Sequence, residues 1–158
     1  MKPEELWQAS GLQGEYEAWA FGEAPDQLAE LVRRGVKTAT CSAALLYELE
    51  QEEYPKEGNY SVILDSTGNA VCIIRTTKVS VLPFDLVSER HAWKEGEGDR
   101  SLEYWRQIHK RFFTDELKTV GQAFDERMEL ICEEFEVIYP EKPENGTDNS
   151  SSKREEST

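Results

Sequence analysis

Residues 59–82 read NYSVILDSTGNAVCIIRTTKVSVL, two runs rich in Val, Ile and Thr on either side of Ser66-Thr67-Gly68-Asn69. β-Branched side chains are restricted at χ1 and pack well on a pleated surface. Gly and Asn supply the backbone conformations that a tight turn requires. The pattern predicts strands over 60–65 and 70–82, joined as a hairpin.

Further along the chain, ELICEEFEVIY alternates well enough to predict a closing strand over 129–139. On the N-terminal side, APDQLAELVRRG sets Leu28, Leu31 and Val32 at helical spacing, with Asp26 as the expected N-cap and Gly35 at a left-handed C-cap. This predicts a helix over 26–34. A second helix is expected over 42–54, where Ala44, Leu45 and Leu49 share one side. SLEYWRQIHKRFFTDEL repeats Leu102, Trp105, Ile108 and Phe112 behind a Ser101 N-cap, predicting a long amphipathic helix over 101–116. Strand pairs not separated by regular helices point to an α+β domain. Its sheet is expected to be mostly antiparallel, curved and barrel-like, with helices packed outside it.

A chain of 158 residues, 38% hydrophobic, suffices for one compact domain, placed at residues 1–140. From residue 141 the composition changes: EKPENGTDNSSSKREEST contains no aliphatic or aromatic side chain that burial could reward. Residues 141–158 are therefore expected to form a disordered polar tail. Cys41, Cys72 and Cys132 lie far apart, with no C-x-x-C pair, and no run approaches the length of a membrane span. A cytoplasmic, membrane-free protein is expected. The net charge of −14, from 32 acidic and 18 basic residues, opposes indiscriminate binding to duplex DNA. It favours a small ligand over a long phosphate backbone.

Two segments carry candidate chemistry. RRGVKTAT, residues 33–40, sets Lys37 and Thr40 three apart just beyond the helix C-cap. In a flat strand that offset points side chains apart, whereas a turn brings them to one side. A hydroxyl beside a lysine of lowered pKa is a potential nucleophile, and burial with Arg33 or Arg34 nearby would lower it. The bland alternative is a cation ending a helix and a threonine starting a strand. The second segment is ERHAWKEGEGDRSLEYWR, residues 89–106, where Glu95, Glu97 and Asp99 alternate with Gly96 and Gly98 in an expected flexible acidic loop. His91, Glu95, Glu97 and Asp99 match neither an EF-hand nor H-E-x-x-H, and no metal or other cofactor is assigned. A plain acidic loop with Asp99 and Ser101 capping the next helix is the competing reading.

Taken together, GVKTAT (35–40), PKEGNY (55–60), CIIRT (72–76) and KEGEGDRSLEYWRQIH (94–109) resemble the ASCH domain, a β-barrel family related to the PUA fold of RNA-modifying proteins. The resemblance spans about residues 7–139, and its acidic glycine block is that of one bacterial branch. It implies a cleft beside Gly35-x-Lys37-x-x-Thr40 that takes RNA or a nucleoside. Some small members are amidohydrolases acting on N(4)-acetylcytidine, and others are described as ribonucleases. Carried over residue by residue, it implies catalytic roles for Lys37, Thr40 and Glu95. It also differs here in an N-terminal helical part with Trp7 and Trp19 and in the acidic loop.

The expected function is hydrolysis of an acyl-amide on a modified nucleobase. Lys37, lowered in pKa, would take the proton of Thr40 while Glu95 orients it or serves the leaving amine. Arg34, Arg75, Glu97 and Asp99 are the substrate-contacting candidates. A non-catalytic module binding RNA or a modified nucleoside is the alternative, and a ribonuclease the third, since neither His91 nor His109 lies in the Lys37 motif. The expected partner is a small nucleoside or short RNA; the sequence leaves the oligomeric state open.

Overall fold

The computed structural model describes residues 1–140, so the expected tail at 141–158 lies outside the described residues. Five strands, β1 (Tyr16–Trp19), β2 (Ala39–Ala43), β3 (Tyr60–Leu64), β4 (Ala70–Pro83) and β5 (Glu129–Tyr139), form one sheet in the order β1-β3-β4-β5-β2. Only β1/β3 is parallel; β3/β4, β4/β5 and β2/β5 are antiparallel, as the sequence predicts for most of the sheet. The sheet is curved but not closed, with β1 and β2 at its two ends. The hairpin turn is held by Asp65, whose carboxylate accepts from the Thr67 and Asn69 amides at 2.9 and 3.0 Å, while Gly68 adopts φ +85°.

Among the described residues five α-helices flank the sheet: α1 (Pro3–Ser10), α2 (Pro25–Arg33), α3 (Ala44–Glu50), α4 (Glu89–Glu95) and α5 (Leu102–Lys118). The continuous apolar runs of β3 and β4 are explained by burial on both faces. Val62 and Ile73 pack under Leu6 and Trp7 of α1, whereas their neighbours Ile63, Cys72 and Ile74 pack with Ala29 and Val32 of α2. Leu130, Cys132 and Ala43 meet Ala92 of α4 and Trp105 and Phe113 of α5 in a third cluster. No helix among the described residues is long and apolar enough to cross a membrane.

Several local expectations are corrected. Ala24, at φ +45°, precedes Pro25 as the cap residue of α2; the Asp26 carboxylate instead accepts from the Ser66 amide and hydroxyl at 2.7 and 2.9 Å, tying α2 to the hairpin turn. The helix expected over 42–54 is confined to α3, because pairing with β5 draws residues 39–43 into a strand. Trp19 lies in β1 rather than a helix. Residues 89–95, unassigned from sequence, form α4, whose Ser88 Oγ accepts from the His91 amide at 3.1 Å and whose C-cap is Gly96 at φ +74°.

Candidate functional site

Lys37 is brought to its place by the way α2 ends. Gly35 turns at φ +79°, and the amides of Val36 and Lys37 both bond back to the Leu31 carbonyl, at 2.9 and 3.1 Å. The chain then meets the end of α4, where the Thr38 amide donates to the Lys94 carbonyl at 2.7 Å. The approach is so close that a Cβ on Gly96 would sit 2.6 Å from the Val36 carbonyl oxygen and 3.1 Å from Lys37 Cα. Glycine is required there twice, by contact and by its positive φ. Arg100 closes the loop by donating to the Trp93 and Val36 carbonyls at 2.9 and 3.3 Å and stacking over the Trp93 ring at 3.7 Å.

The Lys37 side chain runs inward past the Phe21 ring and is 1% exposed. Its ammonium donates to Glu95 Oε1 at 3.1 Å, to Glu97 Oε2 at 2.7 Å and to the Glu95 carbonyl at 3.4 Å. Glu95, itself 1% exposed, is the hub. Its Oε1 lies 3.3 Å from His109 Nε2, and its Oε2 accepts from His91 Nε2 at 2.7 Å and Trp105 Nε1 at 2.9 Å. All these donors converge because His91 and Glu95 share one face of α4 four residues apart, as do Trp105 and His109 on α5. The His109 ring stacks on Trp105 at 4.3 Å, and its Nδ1 donates to the Trp105 carbonyl at 2.9 Å. With both ring nitrogens facing acceptors, His109 is suited to the imidazolium form.

Electrostatics follow from this geometry. Burial pulls the Lys37 pKa down, but the facing charges of Glu95 and Glu97 outweigh it, leaving the ammonium above its ordinary value. Burial likewise opposes the charge on Glu95, yet Lys37, His109 and His91 hold its carboxyl well below the usual range. For His109, burial again acts downward and Glu95 prevails, raising the imidazole. The lowered lysine pKa expected from sequence is thus corrected: Lys37 is a charged donor, not a ready base. Cys41, on β2 beside Glu95, has its thiol pushed well up by burial and by that carboxylate.

Of the sequence-derived candidates, Lys37, Glu95 and Glu97 come together. Thr40 sits on β2, half-buried, directly opposite Glu133 of β5; its hydroxyl makes no hydrogen bond to Lys37 among the described residues. Asp99 is exposed and accepts from the Ser101 amide at 2.9 Å, in keeping with the capping alternative. Arg75 is an exposed surface cation paired with Glu136, and Arg34 is exposed at the end of α2. His91, Trp105 and His109 were not assigned to this site from sequence. The His91/Glu95 spacing was the available signal, legible once Ser88 and Gly96 are recognised as the caps of a short helix.

Two groups bring three ligand atoms within 4.8 Å of one another, Cys41/His91/Glu95 and Glu95/Glu97/His109. Asp99 belongs to neither. In the second group the Lys37 ammonium already contacts the two carboxylates that a cation would use. The arrangement suits the capture of a ligand oxygen by a fixed positive charge better than metal chelation.

Comparison with known proteins gives a consistent picture. A family model described as the ASCH domain matches residues 17–139. The ASCH domain structure from Lactobacillus crispatus JV V101 superposes with a TM-score of 0.82 at 32% identity, covering 87% of this chain and 94% of that one. A protein of Enterococcus faecalis V583 gives 0.80 at 39% identity over 94% and 96% of the two chains. A third structure, of a hypothetical protein at 15% identity, shares the fold alone, with a TM-score of 0.52. Among curated proteins, no sequence matches.

Proposed function

This chain belongs to the ASCH domain family, and from that premise we propose that the Lys37 site takes a small nucleoside, or the end of a short RNA, and hydrolyses an acyl-amide on its base, as in N(4)-acetylcytidine. The observation that carries the reading is the Lys37 ammonium, buried and kept charged by Glu95. Its partner on the solvent side is Glu97, whose side chain is 17% exposed against 1% for Glu95. An acyl oxygen replacing Glu97 on Nζ would meet a fixed positive charge in a low-dielectric setting, where developing negative charge is best stabilised. The net charge of −14 favours a small ligand over a long phosphate backbone.

Thr40 is the nucleophile in this scheme. Its hydroxyl oxygen bonds to the acyl carbon, the C–N bond breaks, and the released amine takes a proton. Glu97, freed from Lys37, takes the Thr40 proton and delivers it to that amine; water then cleaves the acyl-threonine. Glu95 positions Lys37.

The second reading, a binding module without turnover, is favoured by the raised Lys37 pKa and by the absence of a Thr40–Lys37 hydrogen bond. Ribonuclease action stands third, with two imidazoles on Glu95 as its observation. The test is purified protein on N(4)-acetylcytidine, with cytidine release followed by chromatography and binding by calorimetry. Wild type is expected to release cytidine. Thr40→Ala should bind without release, and Glu97→Gln should lower kcat more than it changes affinity. Binding without release in wild type selects the module, and cleavage of a short RNA oligonucleotide selects the nuclease. Absence of both binding and release refutes the proposal.

A further inference from the structure

We propose that the Glu133 carboxyl group reads the base in this site, pairing with a pyrimidine edge that sets a ring-nitrogen acceptor beside an exocyclic N–H, as cytosine does. The inference rests on the preceding reading that a nucleoside enters beside Lys37 and Thr40. Glu133 is the direct β5 partner of Thr40, and Val79 of β4 is its partner on the other side. Directly opposed residues of an antiparallel pair project from the same face with Cβ atoms about 5 Å apart, so Glu133 and Thr40 stand side by side.

Glu133 is a half-buried acid that the mechanism above leaves unused. Among the described residues no cation pairs with it; its side-chain partner is the Thr76 hydroxyl, donating at 3.3 Å. The groups that act on it or feel it are acidic or neutral from every side: Glu17 of β1, Tyr47 of α3 and its β5 neighbour Cys132. Glu17 belongs to the far end of the sheet, so the curvature brings that end over β5. Burial first, and Glu17 as well, push the Glu133 carboxyl up to about 7.

A protonated carboxyl offers one donor and one acceptor side by side, which matches N3 and the N4–H of cytosine. An N(4)-acylated cytosine retains one N4–H for the same pairing. The ionised form would set a carboxylate oxygen against the N3 lone pair. Guanine presents two adjacent donors instead and prefers the carboxylate.

Calorimetric titration of wild type, Glu133→Gln and Glu133→Leu with cytidine and with guanosine between pH 6 and pH 8.5 tests the assignment. Wild-type affinity for cytidine is expected to fall by about tenfold or more over that range, as the required proton is lost. Glutamine keeps a donor and an acceptor without titrating, so Glu133→Gln should bind as wild type does at pH 6 and lose most of the pH dependence. Any dependence it retains measures His109 and the other titrating groups. Glu133→Leu should bind about tenfold more weakly at pH 6, with its fold checked by circular dichroism. A flat wild-type profile, unchanged binding by the leucine variant, an undiminished pH dependence in the glutamine variant, or tighter binding of guanosine than of cytidine at pH 6 would each overturn the assignment. Hydrolysis of N(4)-acetylcytidine alongside any of these results removes the Glu133 role alone, whereas no binding of either cytidine or N(4)-acetylcytidine removes both proposals.

Discussion

Replacing Lys37 by Met removes a positive charge while retaining most of the buried volume. What remains is a Glu95 carboxylate 1% exposed, deprived of its principal counter-ion. Breaking a buried ion pair from one side costs about 3–5 kcal/mol. Here His91, His109 and Trp105 still donate to Glu95, so the lower end, about 3 kcal/mol, is expected. For a domain of this size that lowers Tm by roughly 6–12 °C. The pH dependence has a definite sign. In wild type the depressed Glu95 pKa contributes stability above its unfolded value, lost as pH falls through the folded value. Lys37 contributes below its unfolded value and loses that contribution only as pH rises through its raised folded pKa. In Lys37→Met the Glu95 carboxyl shifts upward and protonates sooner, so the deficit should be full near pH 7.5 and shrink towards pH 5. Urea denaturation followed by circular dichroism at the two pH values measures this. A variant within about 1 kcal/mol of wild type at pH 7.5, or an equal deficit at both pH values, would refute the argument that Lys37 neutralises a buried Glu95 charge.

Gly96→Ala forces a Cβ against the Val36 carbonyl and Lys37 Cα at a positive φ, and should cost about 1–3 kcal/mol in chemical denaturation while lowering nucleoside affinity through displacement of Lys37. The His109 ring, followed by NMR, should titrate above its ordinary value in wild type and shift downward in Glu95→Gln, because Glu95 is what raises it. Ser101→Ala removes the hydroxyl that accepts from the Tyr104 amide at 3.0 Å, and should cost about 1 kcal/mol by urea denaturation without changing the His109 titration.

Local periodicity and turn chemistry determined the strand runs at 60–82 and 129–139, the helices near 26–34 and 101–116, and the glycine that ends α2. Each of these depends on contacts a few residues apart. The glycines around Glu97 also marked where the chain comes close to Lys37, since a Cβ on Gly96 would sit 3.1 Å from Lys37 Cα. Tertiary structure decided the rest. Residues 39–43 became a strand because β5 supplied hydrogen-bonding partners, overriding the helical pattern that follows. Glu95 is joined to Lys37 across 58 positions, and to His109 because α5 packs beside α4. The protonation of Lys37 was inaccessible to spacing arguments because desolvation and two facing carboxylates oppose each other, and only their distances decide which prevails. Glu133 carried no sequence signal at all. In the strand it is one acidic residue among several, and only its place opposite Thr40, half-buried with no cation paired to it among the described residues, distinguishes it from its neighbour Glu134, which pairs with Lys94 at 2.9 Å.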